Sequence, residues 1–351
     1  MVRHQAAVQD TSFNEAGDHF YDGRFHNEDA VPPNTLAAFF GVMKRYITER
    51  KVDAFPSEPL PINTLNQAQL LQLPDDALFV IRLGHSSILL KVYGEFWLID
   101  PVFSERASPF SFLGPKRFHR SPIDLAELPP IDKVLISHNH YDHLDKTTIR
   151  WLSSRVKEFL VPLGVEQDFV RWGVSRQQIQ SFDWWQELPI KQGLIAFTPA
   201  RHFSGRGLSD GNRSLWGGWV IKTPHESLYF SGDSGYFSGF SEIGRKYGPF
   251  DLTMIETGAY DRDWPAIHMT PEQSVQAHID LKGQLMMPVH NGTFDLAFHA
   301  WYDPLERVAQ AADQRGVTLL TPIPGTPFNV RQPVASEPWW QALMPQKPAQ
   351  P

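Results

Sequence analysis

KVLISHNHYDHLD, residues 133–145, runs from a short apolar stretch straight into a cluster of side chains that bind metals. Lys133–Ser137 reads as a buried strand. Three imidazoles and a carboxylate then fall within six residues: His138, His140, Asp142 and His143. Alternate side chains of a regular strand share a face, so His138 and His140 can point together. Asp142 and His143 need a following turn to bring them back. Imidazole with carboxylate suits zinc, and also iron or manganese. A polar loop holding histidines by chance is the bland alternative, and this ligand density argues against it.

Working outward, further ligand candidates share one topological feature. His202 follows the expected strand Ile195–Pro199, Asp233 follows Leu228–Ser231, and His290 follows Leu285–Val289. Ligand sites in αβ folds gather at the carboxyl ends of strands. Taken singly, Asp233 in Gly-Asp-Ser is an ordinary turn residue, and a lone histidine after a strand is unremarkable. Four strand-end positions supplying seven ligands together are harder to dismiss.

The same alternation of strands and helices continues on both sides. Strands are expected at Phe79–Leu83, Ser87–Val92, Phe96–Asp100, Phe159–Pro162, Trp216–Lys222 and Leu252–Ile255. Helices are expected at Thr147–Ser154, Ser238–Tyr247, 270–281 and Pro304–Arg315. The third opens with Thr270 as cap, Pro271 at the first position and an early acid, Glu272. No break in composition separates residues 77 and 330, which favours one α/β domain with two sheets and outer helices. Residues 1–76 read as an arm that is polar up to about residue 34, followed by a helix Thr35–Lys51. Leu36, Phe39, Phe40, Met43, Tyr46 and Ile47 recur there at helical spacing. That face is expected to pack on the body, with a membrane- or partner-facing helix as the alternative. Residues 331–351 are proline-rich and read as a tail.

Composition narrows the function. The chain has 351 residues, no cysteine and a net charge of −7. Any metal must therefore be held by His, Asp or Glu, and thiolate catalysis is excluded. A nucleic-acid partner is disfavoured, because a chain that tracks polyphosphate needs a basic stripe. The first residues lack the apolar core of a signal peptide. No apolar run approaches the roughly 18 residues of a membrane span. The expectation is a cytoplasmic protein, with peripheral contact at a membrane surface as an open reading.

These residues spell a pattern that resembles the metallo-β-lactamase superfamily: an HxHxDH loop, then one His, one Asp and one His in order. The resemblance is nearest to the N-acyl-phosphatidylethanolamine-hydrolysing phospholipase D family. It is carried by LGHSSILL (83–90), DPVFSERASP (100–109), GPKRFHRSPI (114–123), FDWWQE (182–187), LWGGW (215–219), FSGDSGY (230–236), GPFDL (248–252), GAY (258–260), HMTPEQSV (268–275) and HNGTF (290–294). It spans residues 77 to 300, and the GPKRF, DWW and HMTPE segments are its most specific parts. It implies an αββα sandwich of two mixed sheets flanked by helices. It implies two Zn2+ per chain, with manganese or iron as substitutes. One metal would be held by His138, His140 and His202, the other by Asp142, His143 and His290, with Asp233 bridging. His268 matches a further active-site histidine. Glutamate in place of His140 would mark the related redox branch, so His140 argues for hydrolysis. The chain departs from the animal enzymes at Gly84-His85-Ser86-Ser87 and at Glu256-Thr257, where they carry apolar residues before GAY.

The implied activity is that of a phospholipase D-type phosphodiesterase acting on a lipid phosphodiester. A hydroxide bridging the metals is the expected nucleophile, and His268 the group serving the leaving oxygen. A lactonase or other carbonyl-ester hydrolase on the same site is the alternative, since the ligands alone do not separate the two. Related enzymes suggest a homodimer. Arg106, Lys116, Arg117 and Arg120 form a basic run that either grips a phosphate or belongs to a solvated loop. Trp184 and Trp185 are expected in the core or a wall, and His85 as a hydrogen-bonding support of the metal loop. Asp145 either orients a ligand imidazole or caps the next helix.

Overall fold

In a computed structural model of the chain, residues 17–29, 31, 36–191, 193–207, 209–333 and 337–345 are described. A short hairpin, β1 (Phe20–Tyr21) and β2 (Arg24–Phe25), precedes helices α1 (Leu36–Thr48) and α2 (Gln67–Leu71). The first large sheet then builds from β3 (Leu78–Gly84), β4 (Ser87–Val92), β5 (Glu95–Ile99), β6 (Ile131–Leu135), β7 (Val156–Pro162) and β8 (Ile179–Phe182), with α3 (Lys146–Leu152) and α4 (Glu166–Arg171) between them. The second builds from β9 (Glu187–Ile190), β10 (Gly193–Thr198), β11 (Gly218–Lys222), β12 (Ser227–Phe230), β13 (Phe250–Glu256), β14 (Gly283–Val289) and β15 (Thr318–Leu319), with α5 (Gly239–Lys246), α6 (Pro271–Asp280) and α7 (Asp303–Arg315). The chain then returns as β16 (Phe328–Asn329) to the edge of the first sheet.

Each sheet has seven strands. Both open as antiparallel meanders and continue with parallel pairing, β5 to β8 in one and β12 to β15 in the other. The apolar residues sort accordingly into three layers. Val80, Leu90, Trp97 and Leu135 of the first sheet meet Phe197, Trp219, Phe230 and Met254 of the second in a shared core. The opposite face of the first sheet is covered by α2, α3 and α4 through Leu70, Ile149 and Phe169. The opposite face of the second is covered by α5, α6 and α7 through Phe240, Val275 and Val308. The molecule is an αββα sandwich with mixed sheets, as the sequence implies. Parallel strands need covered faces and long crossovers, which is why β6, β7, β13 and β14 carry apolar runs and are followed or preceded by helices.

The sequence leaves the polar N-terminal arm either disordered or laid across the body. Among the described residues it is laid across the body from residue 17 onward. Phe25 is fully buried in the shared core, and His19 stacks on Trp184 at 4.4 Å while pairing with Asp183 at 2.8 Å. The proline-rich tail is anchored as well: Trp340 is buried with Leu60, Trp301 and Leu305, and its indole donates to Glu306. Residues 1–16 and 346–351 lie outside the described residues.

Helix α1 forms, and three of the six apolar residues of its expected inner face are exposed. Phe40, Met43 and Ile47, expected to face the body, are 65%, 43% and 81% exposed. The side chains of Leu36, Phe39 and Tyr46 lie outside the described residues. The inward side is set by Arg45, which pairs with Asp261 and Asp263 and lies 4.0 Å over the Phe298 ring. Charge pairing through Arg45 thus holds the helix on the body, while Phe40, Met43 and Ile47 face outward.

Candidate metal centre

The strand ends converge where the sequence places the ligands. His138, His140, His202 and Asp233 offer donor atoms that all lie within 4.8 Å of one another, and so do His85, Asp142, His143 and His290. In the first group, His140 Nδ1 is 3.0 Å from His138 Nε2 and 3.2 Å from His202 Nε2. Asp233 Oδ2 lies 3.7 and 3.8 Å from the same two Nε2 atoms. In the second group, Asp142 Oδ2 is 3.1 Å from His290 Nε2 and 3.5 Å from His143 Nε2. Asp233 reaches this group too, with Oδ1 3.1 Å from His143 Nε2 and Oδ2 3.0 Å from His290 Nε2. Asp233 therefore stands between both sets.

The donors fit divalent cations. Four ligands at about 2.0–2.1 Å around a tetrahedral zinc stand roughly 3.4 Å apart, and the spacings above bracket that value. His143 Nε2 and Asp233 Oδ1 are buried and make no hydrogen bond. The two atoms stand 3.1 Å apart without a hydrogen bond to satisfy either, an arrangement of buried donors that suits a shared cation.

A second set of contacts orients the imidazoles. His143 Nδ1 donates to Asp100 Oδ2 at 2.7 Å, and Asp100 also accepts from the Ser137 amide at 2.7 Å and hydroxyl at 2.5 Å. His202 Nδ1 donates to the Ile267 carbonyl at 2.9 Å. Both histidines therefore hold their proton outward and present Nε2 to the centre. Asn27 of the arm grips the His202 backbone twice, donating to its carbonyl at 2.8 Å and accepting from its amide at 3.0 Å. His85 reaches Asp142 Oδ2 at 2.9 Å, a support for that carboxylate. His85, Asp100 and His290 all have left-handed backbones, with φ of 51°, 42° and 64°. Such conformations cost about 1 kcal/mol or more for residues other than glycine and gather at functional sites. Gly232, before Asp233, has φ 58°, and a Cβ there would stand 2.5 Å from the Gly217 carbonyl.

Charge is distributed unevenly. Burial alone would raise Asp142 and Asp233, yet the facing histidines hold both well below the carboxylate range. Burial would likewise lower His143 and His290, but the Asp233 and Asp142 carboxylates outweigh it. His143 is held well above its ordinary value and His290 is pushed up to about 10. His138 and His202 are driven well below theirs by burial, with neighbouring imidazoles adding to it. His140 falls to about 4 through burial. One half of the centre thus attracts positive charge strongly, while the other offers neutral imidazoles.

A cavity of about 400 Å³ opens onto these donors. His140, Asp142, Asp233, His290 and His268 line it together with Asp263, and Val42, Phe203, Ala259, Trp264, Ile267 and Leu296 supply apolar lining. His268 lies 5.1 Å from the His202 ring and 5.3 Å from His290, ring centre to ring centre. Its Nδ1 donates to Glu256 Oε1 at 2.7 Å.

Other candidates sort plainly. The basic run does not face the cavity. Arg117 is spent on the carbonyls of Val102 and His119, and Arg106 on that of Gly114; Lys116 lies against Glu105. Its physical role is to pin a loop that lacks regular structure. Asp145 caps α3 through the Thr147 amide and collects the amides of Phe103 and Ser104, touching no ligand imidazole. Trp184 is core, donating to the Trp216 carbonyl, and Trp185 stacks on Tyr247. Sequence reasoning missed Asn27, Asp100 and Glu256. Glu256 carried a readable signal, since it is an acid at the end of an apolar strand, in the position that supplies the ligands elsewhere.

A model described as the beta-lactamase superfamily domain matches residues 97–291. An uncharacterised protein of Mycobacterium tuberculosis is 40% identical over 333 residues, 93% of this chain and 88% of that one. N-acyl-phosphatidylethanolamine-hydrolyzing phospholipase D 1 of Caenorhabditis elegans is 34% identical over 255 residues, 69% of this chain and 71% of that one. Among solved structures, a metallo hydrolase from the archaeon Ignicoccus hospitalis superposes with a TM-score of 0.56 at 21% identity, over 72% of this chain and 98% of that one. That last likeness concerns the fold.

Proposed function

The chain belongs to the beta-lactamase superfamily as a metal-dependent hydrolase close to the N-acyl-phosphatidylethanolamine-hydrolysing phospholipase D proteins, and from that premise we propose that it is a binuclear zinc phosphodiesterase acting on lipid phosphodiesters of that kind. The observation that carries the reading is the cavity's mixed lining. The donor residues His140, Asp142, Asp233 and His290 share it with His268, the acid Asp263 and the apolar side chains of Val42, Phe203, Trp264, Ile267 and Leu296.

Two bound divalent cations would supply charge stabilisation for the phosphoryl oxygens and an activated water at neutral pH. His138, His140 and His202 would hold one, Asp142, His143 and His290 the other, and Asp233 both. The chain's own part is placement. Phe203, Trp264, Ile267 and Leu296 seat hydrocarbon beside the centre and exclude bulk water, which strengthens every electrostatic contact there. His268, in the cavity lining beside the ligand histidines, would serve the leaving oxygen of a seated diester as a proton donor or positive partner.

The outer face of α1 extends the reading to a lipid surface. Val42 walls the cavity from the inner side of the helix, while Met43 and Ile47 are exposed on the outer side. A substrate embedded in a bilayer would thus meet the cavity through the helix that rests on it. Among the described residues no helix is long and apolar enough to cross a membrane.

The test pairs elemental analysis with hydrolysis of N-acyl-phosphatidylethanolamine in vesicles by wild type and Asp233→Asn. Two zinc per chain, release of the N-acylethanolamine and loss of turnover in the variant support the proposal. Two metals with turnover only of lactones would replace it by the carbonyl-ester reading. Co-sedimentation with vesicles, unchanged by Met43→Ser with Ile47→Ser, would remove the surface contact.

A further inference from the structure

Glu256 ends β13 fully buried, and its surroundings supply few positive partners. Its Oε1 accepts from His268 Nδ1 at 2.7 Å, and its Oε2 accepts from the Met269 amide at 3.2 Å. Its backbone is held on both sides: its amide donates to Ser231 Oγ at 2.9 Å, and its carbonyl accepts from Ser274 Oγ at 2.7 Å. The carboxylate therefore has little freedom to swing away. A buried carboxylate is costly unless its lone pairs are met by donors. Burial pushes Glu256 up, and His268 is the main influence in the other direction. The cheapest arrangement keeps a proton on His268 Nδ1, directed at Glu256. The ring then presents Nε2 on its other side. The ring borders the cavity, and its side chain retains 13% exposure.

We propose that Glu256 is a positioning residue for His268, holding Nδ1–H toward the protein so that Nε2 faces the oxygen that leaves the substrate. The inference rests on the phosphodiesterase reading for the identity of that oxygen, but the orientation itself stands on the carboxylate's burial and its two hydrogen bonds. The arrangement parallels the carboxylate that sets imidazole orientation in hydrolytic triads. It uses a buried acid that neither metal set employs.

The experiment uses the metal-loaded full chain and the variants Glu256→Gln, His268→Ala and their double. The first readout needs no substrate. A downfield imidazole proton resonance, assigned to His268 Nδ1 by its loss in His268→Ala, is expected in wild type and absent in Glu256→Gln. The second readout compares an unactivated dialkyl phosphodiester with a nitrophenyl diester, whose leaving group needs little help. Glu256→Gln is expected to lose about 10- to 100-fold in kcat on the dialkyl substrate, as for other outer contacts that orient active groups, and under threefold on the nitrophenyl one. The double variant is expected to be no slower than His268→Ala, because Glu256 acts through that ring. A resonance that survives in Glu256→Gln overturns the proposal. So do equal losses on both substrates, or multiplying losses in the double variant, which mark a general structural role. Melting temperatures identify a variant that fails to fold, and Glu256→Asp, which keeps the charge, should then restore part of the resonance; its failure to do so in a folded protein also counts against the proposal. Wild type that hydrolyses neither diester refutes the phosphodiesterase reading, while the resonance still decides the orientation.

Discussion

Replacing Asp100 by asparagine tests how the outer contacts govern the centre. Asp100 is fully buried and gives Oδ2 to both His143 Nδ1 and the Ser137 hydroxyl, while Oδ1 takes the Ser137 amide. Asparagine can keep the amide contact, but places a donor where His143 Nδ1 now donates. His143 must then carry its proton on Nε2, the atom that faces Asp142 and Asp233. That atom has to be bare to bind a cation. The lost charge-assisted hydrogen bond is worth about 1.5–3 kcal/mol, which corresponds to about 10- to 150-fold in affinity. The set Asp142, His143 and His290 should weaken by that factor. The set His138, His140 and His202 should change less, since it is reached indirectly, through Ser137 Oγ 2.9 Å from His138 Nδ1 and through the shared Asp233. Chelator-competition titration of zinc into the stripped protein reads both sites. The metal-free variant should also be less stable to urea, because the buried His143 imidazole and Ser137 hydroxyl both lose the oxygen they donate to. Two affinities within twofold of wild type would refute the reasoning.

Other consequences are open to measurement. Asn27→Ala removes both contacts to the His202 backbone and one from the Trp216 indole; a loss of about 2–3 kcal/mol is expected in urea unfolding, with weaker binding at the His138 set, and unchanged binding would show that the arm only covers the site. Trp340→Ala should cost about 3 kcal/mol or more by the same assay, whereas a loss under about 0.5 kcal/mol, the ordinary scale for surface substitutions, would mean the tail is not anchored through its indole. Burial lowers His278 and His119 to about 4. Between pH 6.5 and 4 the unfolded chain binds protons that the folded chain refuses, so stability is lost as pH falls through that window, by up to about 3 kcal/mol for each residue. The metal-free His278→Asn variant should show a shallower loss between pH 7 and pH 4; an identical slope would exclude His278 as a contributor.

The sequence made the centre legible because its ligands sit at strand ends, where period-two apolar runs stop and a polar residue stands out. Lys133–Ser137 and the segment after it could be read almost directly, and Thr270, Pro271 and Glu272 marked the start of α6, where the structure adds a capping box with Gln273. What failed to show was structure built from polar residues. The arm exposes no apolar pattern, since among its described residues only Phe20 and Phe25 meet the shared core and Asn27 works through its amide. Helix α4 hides Glu166 and Asp168 in a buried position, where a sequence reading expects solvent. In α1 the helix was legible but the exposure of Phe40, Met43 and Ile47 was not, because the acids that hold Arg45 against the body, Asp261 and Asp263, are distant in sequence.

The edge strand β16 also bears on how the chain is made. Phe328 pairs with Val80, near the start of the first sheet, and the His290 amide donates to the His85 carbonyl. During synthesis β3 emerges early and waits, with one row of amides and carbonyls open, until almost the whole polypeptide has left the ribosome. Contacts this distant along the chain form slowly, and an open strand edge invites pairing with another chain. A product that terminates before Phe328 would keep that edge exposed for its lifetime, so incomplete translation should yield aggregates in place of a smaller folded enzyme.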